Sequence, residues 1–220
     1  MTYTGDVQPG GSAAVRELTD ATLRKLAVSE TANNVYLLTC RRTGAQLLVD
    51  AAAEPDACLA LVREGGGRLD LVVTTHSHWD HHRALAEVVA ATGARTAAGA
   101  EDADGLPVRP DQLLHHGDRV EVGDLVLDVL HLRGHTPGSV ALAYADPDGR
   151  THLFTGDSLF PGGVGNTRGD AAAFASLLDD VETKLFGTLP DETWFYPGHG
   201  NDSTIGAERP HLGEWESRGW

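Results

Sequence analysis

Lysine is nearly absent from this chain: Lys25 and Lys184 are the only two in 220 residues, and lysine plus arginine number 17 against 32 aspartates and glutamates. A formal charge of −15 repels phosphate backbones and anionic bilayers, so neither nucleic acid nor a membrane surface is an expected partner. Cysteine is equally scarce. Cys40 and Cys58 lie far apart without C-x-x-C spacing, which argues against a disulfide framework or a structural zinc knuckle and for two reduced core thiols. No apolar run approaches the roughly 20 residues of a membrane span. The opening MTYTGDVQPGG has neither the basic start nor the apolar core of a secretory signal, so a cytoplasmic location is expected. Low-complexity linkers and short tandem repeats are missing as well. The expectation is a partly flexible N-terminal segment over 1–22 and a single domain over 23–220.

Histidine, by contrast, is crowded. The stretch TTHSHWDHH (74–82) places four histidines and an aspartate directly after the apolar run Leu71-Val72-Val73. Clustered imidazoles cost desolvation and mutual repulsion once protonated, and a metal ion is the partner that offsets both. Around this stretch the patterning predicts strands at LRKLAVSE, NNVYLLTC and AQLLVDA, a helix at EPDACLALVREGG, and a buried strand at RLDLVVTT. A helix over RALAEVVAATG and a small strand ARTAAG follow, then a loop over 101–118. Hairpins are expected at RVEVGDLVLDVLHL and around the Asp146-Pro147-Asp148-Gly149 turn. A long amphipathic helix over 170–190, a strand ETWFYPG and a short helix in the tail complete the reading. This order implies two sheets, each covered by helices.

In an extended segment side chains two apart share a face, so His76 and His78 can address one ion. Asp80 and His81 lie where the chain turns into the next helix and can address a second. His135 in LRGHTPGS, Asp157 in LFTGDS and His199 in FYPGHGN also occupy strand-to-loop exits. Five imidazoles and two carboxylates exceed the needs of one tetrahedral zinc and suit two ions sharing a bridge. Asp80 alone would read as a helix cap, and His135 alone as an ordinary surface histidine. His82, His115, His116, His131, His152 and His211 lack comparable patterns and read as structural.

THSHWDH resembles the T-H-x-H-x-D-H signature of the metallo-β-lactamase superfamily, and GHTPGS, TGDSLF and YPGHG match its later motifs in order. The resemblance runs from about Leu23 to the C-terminus. It implies an α/β (α+β) fold, a four-layer αββα sandwich with a metal site at one edge of the sheets. It assigns His76, His78 and His135 to a first ion, Asp80, His81 and His199 to a second, and Asp157 to a bridge. Asp50, ending LLVDA, matches the aspartate that steadies the metal loop. Two divalent ions are implied, with zinc expected and iron or manganese also accepted by such donors.

Zinc β-lactamases place Cys or Ser at the position of Asp157, which argues against a β-lactam substrate. The Asp-containing pattern is similar to glyoxalase II and its short bacterial relatives, which hydrolyse thioesters of small thiols. About twenty residues follow His199, so the helical C-terminal domain that helps glyoxalase II hold glutathione is not expected, and the thiol stays open. Ser139 stands where the family has a second histidine, outside the ligand set. Asn166 replaces a loop arginine, with Arg168 two residues on as its expected substitute. The implied enzyme is a metal-dependent hydrolase in which Asp80 and Asp157 orient a metal-activated hydroxide toward a small-molecule thioester or activated ester. The alternatives are a lactonase, a mononuclear iron oxygenase of the persulfide dioxygenase kind using His76, His135 and Asp157, and a non-catalytic metal-binding module.

Overall fold

The computed structural model describes residues 3–219; Met1, Thr2 and Trp220 lie outside the described residues. The first sheet takes its strands in chain order: β1 (Ala14–Glu17), β2 (Ala21–Val28), β3 (Asn33–Cys40), β4 (Gln46–Val49), β5 (Leu69–Thr74), β6 (Arg95–Gly99) and β7 (Gln112–Leu114). β1 to β4 pair antiparallel, and β4 to β7 pair parallel. Parallel neighbours need crossovers, supplied by α1 (Pro55–Glu64) and α2 (Leu85–Thr92).

The second sheet contains β8 (Arg119–Val122), β9 (Leu125–His131), β10 (Val140–Ala145), β11 (Thr151–Gly156), β14 (Trp194–Pro197) and β15 (Ser203–Thr204), in the order β15-β14-β11-β10-β9-β8. Between β11 and β14 run a small hairpin, β12 (Leu159–Phe160) and β13 (Gly163–Val164), and helix α3 (Ala171–Val181). The Asp170 carboxylate caps α3 by accepting from the Ala172 and Ala173 amides at 2.9 and 3.0 Å. α4 (Ile205–Glu208) and α5 (Leu212–Arg218) close the described chain.

Period-two alternation builds the layers. Tyr36, Leu38, Leu47, Val49, Leu71 and Val73 face inward and pack against Leu127, Val129, Leu142, Phe154 and Tyr196 of the second sheet. Their neighbours Leu37, Leu48 and Val72 face outward, against Cys58 and Leu61 of α1 and Leu85 and Val88 of α2. On the far side Ala141, Leu153 and Phe195 meet Leu177 and Val181 of α3 and Trp215 of α5. The central strands of each sheet are therefore buried on both faces, and the four layers run helix, sheet, sheet, helix.

Three segments differ from the patterning. The stretch ahead of residue 23 contributes β1 and the start of β2, and Lys25 Nζ donates to Gly5 O at 2.8 Å. β1 has the alternating partial exposure of an edge strand, whose polar sequence gives no strong strand signal. The loop 101–118 contains a 3-10 turn over Ala100–Gly105 and the three-residue β7. The long helix over 170–190 is α-helical only to Val181 and continues as a π turn over Glu182–Phe186.

The topology gathers the site. β4 and β5 are parallel, as are β11 and β14, and Asp50, the 75–81 turn, Asp157 and His199 follow directly from their C-terminal ends. Side chains that leave the ends of parallel strands converge on one rim, where open α/β sheets bind their ligands.

Candidate metal centre

Beyond β5, Thr75 and His76 are buried, and the chain then tightens into a 3-10 turn over Trp79–His81 in which the His81 amide donates to His78 O at 3.0 Å. That turn swings Asp80 and His81 away from the direction of His76 and His78. Three groups result: His76, His78 and His135; His76, His81 and Asp157; and Asp80, His81 and His199, with the ligand atoms of each group within 4.8 Å of one another. All seven residues named from the sequence meet here. Asp157 lies between the outer groups, its Oδ2 3.6 Å from both His135 Nε2 and His199 Nε2 and its Oδ1 3.4 Å from His81 Nε2. Asp80 Oδ2 is 3.4 Å from His199 Nε2.

Hydrogen bonds on the far side of four rings fix which nitrogen faces the centre. His135 Nδ1–H donates to Asn166 O at 2.9 Å and His199 Nδ1–H to Thr31 O at 3.0 Å, since a carbonyl can only accept. His81 Nδ1 meets Asp50 Oδ2 at 2.9 Å. The Thr75 hydroxyl donates to Asp50 Oδ2 at 2.8 Å, which leaves it to accept from His76 Nδ1 at 3.0 Å. In the neutral ring each ε nitrogen is thereby left with its lone pair pointing inward, the arrangement that metal-binding imidazoles require. His78 differs, because its Nε2 accepts from Arg168 Nη2 at 3.2 Å.

Electrostatics follow the same division. Burial, and then the neighbouring His81, holds the His76 pKa well below the imidazole range; burial also lowers His135 to about 4. Burial alone would lower His81 too, but the neighbouring Asp157 and Asp50 carboxylates outweigh it and raise that ring to about 10. Burial opposes ionisation of Asp80 and Asp157, yet Asn33 for Asp80 and His81 for both hold them below the carboxylate norm. His76 and His135 are thus held neutral and Asp80 and Asp157 ionised, the ligand forms of those residue types, whereas His81 gives up a proton when it binds a cation.

The donor set also fits a cation on a second ground. His76 Nε2, His135 Nε2 and Asp157 Oδ1 are buried without a hydrogen-bond partner. Three orphaned polar atoms facing one another cost about 1–3 kcal/mol each, and a bound cation removes that cost. Gly198 is required by the same crowding: a Cβ there would strike the Asp157 carboxylate and approach His81 Cε1 to 2.7 Å.

Several residues that sequence reasoning missed hold the cluster. Asp102, in the 3-10 turn, accepts from the Ser77 amide (2.7 Å), the Thr136 hydroxyl (2.6 Å) and the Gly138 amide (2.8 Å), which ties the His76/His78 segment to the His135 loop. Asp180 of α3 accepts from Arg133 Nε at 2.8 Å, two residues before His135. Asn33 Nδ2 donates to Asp80 Oδ2 at 3.0 Å. Ser139 lies outside the cluster, 2.5 Å from the Thr136 hydroxyl.

The metallo-beta-lactamase superfamily family model matches residues 28–199, and the chain belongs to that superfamily. A probable hydroxyacylglutathione hydrolase of Schizosaccharomyces pombe is 32% identical over 172 residues, 76% of this chain and 63% of that protein. ETHE1 from Myxococcus xanthus is 34% identical in sequence, with a TM-score of 0.75 over 86% of this chain and 82% of that one. TTHA1623, solved in a di-iron-bound form, is 32% identical with a TM-score of 0.66 over 84% and 96%. The chain spans about three fifths of the length of the curated relatives it matches, at 63, 62 and 60% for three hydroxyacylglutathione hydrolases.

Proposed function

We propose that this chain is a dinuclear metal hydrolase acting on thioesters of a small thiol, of the hydroxyacyl type named for its curated relatives. The observation that carries the reading is the convergence of three donor groups on one rim: His76, His78 and His135; His76, His81 and Asp157; and Asp80, His81 and His199. His76, His78 and His135 would hold one divalent ion, Asp80, His81 and His199 the other, with Asp157 between them. Bound there, the two ions supply hydroxide at neutral pH and a Lewis acid for the acyl oxygen.

The chain's own residues do the rest. Asp50 and Thr75 orient His81 and His76, and Asn33 orients Asp80. With two ions bound, the five imidazoles would be deprotonated ligands with no proton to give a leaving group. A thiolate, whose conjugate acid has a pKa of about 8.5, leaves without one; an amine does not. The site therefore suits thioesters and activated esters over amides. Arg168, exposed beside His78, supplies positive charge at the rim for an anionic group of the substrate.

The dinuclear reading is favoured over a mononuclear iron oxygenase because the latter uses only His76, His135 and Asp157 and leaves the Asp80, His81 and His199 group without a task. Zinc suits the mixed nitrogen and oxygen donors, and iron is the metal of the TTHA1623 structure. Two free, buried cysteines accord with a reducing cytoplasmic setting. The test is a panel on metal-loaded protein: S-lactoyl thioesters of glutathione and other small thiols, lactones, a β-lactam and a phosphodiester. Turnover of the thioesters is expected. Oxygen-dependent turnover with one iron per chain, or activity confined to the β-lactam or phosphodiester, overturns the proposal.

A further inference from the structure

Asn33 opens β3 in the first sheet, is fully buried, and belongs to none of the motifs that carry the site. Its amide nitrogen touches two members of one group: Nδ2 lies 3.0 Å from Asp80 Oδ2 and 3.3 Å from His199 Nε2. Its backbone forms an antiparallel bridge to His199, whose loop comes from the second sheet. The orientation of the amide is fixed, because Oδ1 accepts from the Ser29 hydroxyl at 2.8 Å and the Thr31 hydroxyl at 2.6 Å. With both hydroxyls on the oxygen, the NH2 end must face Asp80.

We infer that Asn33 is a positioning residue for the Asp80, His81 and His199 group, and that it sets how tightly the second cation is held while leaving the His76, His78 and His135 group unaffected. A carboxylate free to rotate presents its lone pairs to a cation only part of the time. One fixed N–H on Oδ2 immobilises it in a single orientation. The same side chain, with the backbone bridge, joins the sheet that carries Asp80 to the loop that carries His199, so two ligands from different sheets are aligned by one residue. Removing a hydrogen-bond partner of a metal ligand typically weakens metal affinity 10–100-fold.

This inference rests on the dinuclear reading above. Its test is competitive titration of the metal-free protein with Zn²⁺ against a chromophoric chelator. Wild type is expected to take up two equivalents; fewer would sink the dinuclear reading itself. Asn33→Ala should bind its first equivalent as wild type does and its second about 10–100-fold more weakly, with circular dichroism unchanged. Thr31→Val, an exposed change that removes one of the two hydroxyls fixing the amide, should weaken the second equivalent several-fold in the same direction. If wild type binds two equivalents and Asn33→Ala matches it at both, the inference is overturned. If Asn33→Ala does not fold, the Thr31→Val titration decides, and wild-type affinity there overturns it equally.

Discussion

His81 Nδ1 lies 2.9 Å from Asp50 Oδ2, and the same aspartate receives the Thr75 amide at 2.7 Å. Asp50 holds this position with a φ of 59°, a left-handed conformation that aspartate adopts more readily than most residues. One carboxylate thus orients His81 directly and, through the Thr75 hydroxyl, His76. Replacing Asp50 with alanine is expected to weaken metal binding about 10–100-fold, with thioesterase activity falling in proportion at limiting metal and partly recovering in excess metal. Chelator competition and metal titration of activity check this; wild-type affinity in the variant would contradict the role.

Asp102 accepts three donors from two loops. Asp102→Ala strands those donors in a buried place, an expected loss of about 3 kcal/mol. For a chain of this size that lowers the thermal midpoint by roughly 6–12 °C, measured by calorimetry on metal-free protein. A shift under about 2 °C would show that water replaces the carboxylate without cost.

The ligands were legible because each occupies a strand exit inside a short local pattern: H-x-H-x-D-H, G-H-T-P-G, T-G-D and P-G-H-G. Asp102, Asp180 and Asn33 were not, because each acts on residues 25 or more positions away, and nothing in EDADG or in TANN marks its neighbours as distinct from an ordinary solvated run. The four layers were likewise readable from the order of elements and from continuous apolar runs such as Val35 to Leu38 and Leu47 to Val49, the mark of strands buried on both faces. The edge strands β1 and β7 were not, since β1 (AVRE) mixes polar with apolar residues and β7 (QLL) is only three residues long, too short for a periodic signal.

His152 is buried, its Nδ1 2.8 Å from the Tyr196 hydroxyl, and burial, followed by the charge of Arg16, lowers its pKa from 6.5 to about 4. The folded chain therefore refuses a proton that the unfolded chain accepts. Stability from this group is complete above pH 6.5 and is lost as pH falls toward 4, by about 3 kcal/mol in all. Urea denaturation of wild type and His152→Phe between pH 4 and 7 should show a shallower acid limb in the variant. Parallel limbs would contradict the assignment.

Arg168 takes a φ of 57° and places Nη2 3.2 Å from His78 Nε2. Arg168→Ala is expected to raise KM about tenfold for thioesters that carry a carboxylate, with kcat near wild type and little effect on uncharged ones. Steady-state kinetics on a matched pair of substrates checks this. Equal KM changes for both would assign Arg168 to loop structure instead.

The account depends on seven side chains from four segments holding two ions between them. Native mass spectrometry of the zinc-loaded protein, paired with thioester turnover before and after chelation, tests it most directly. Two ions per chain are expected, with activity lost on chelation, restored by metal, and absent from Asp157→Ala, which should retain at most one tightly bound ion. Undiminished turnover after complete metal removal, or two tightly held ions in Asp157→Ala, would contradict it.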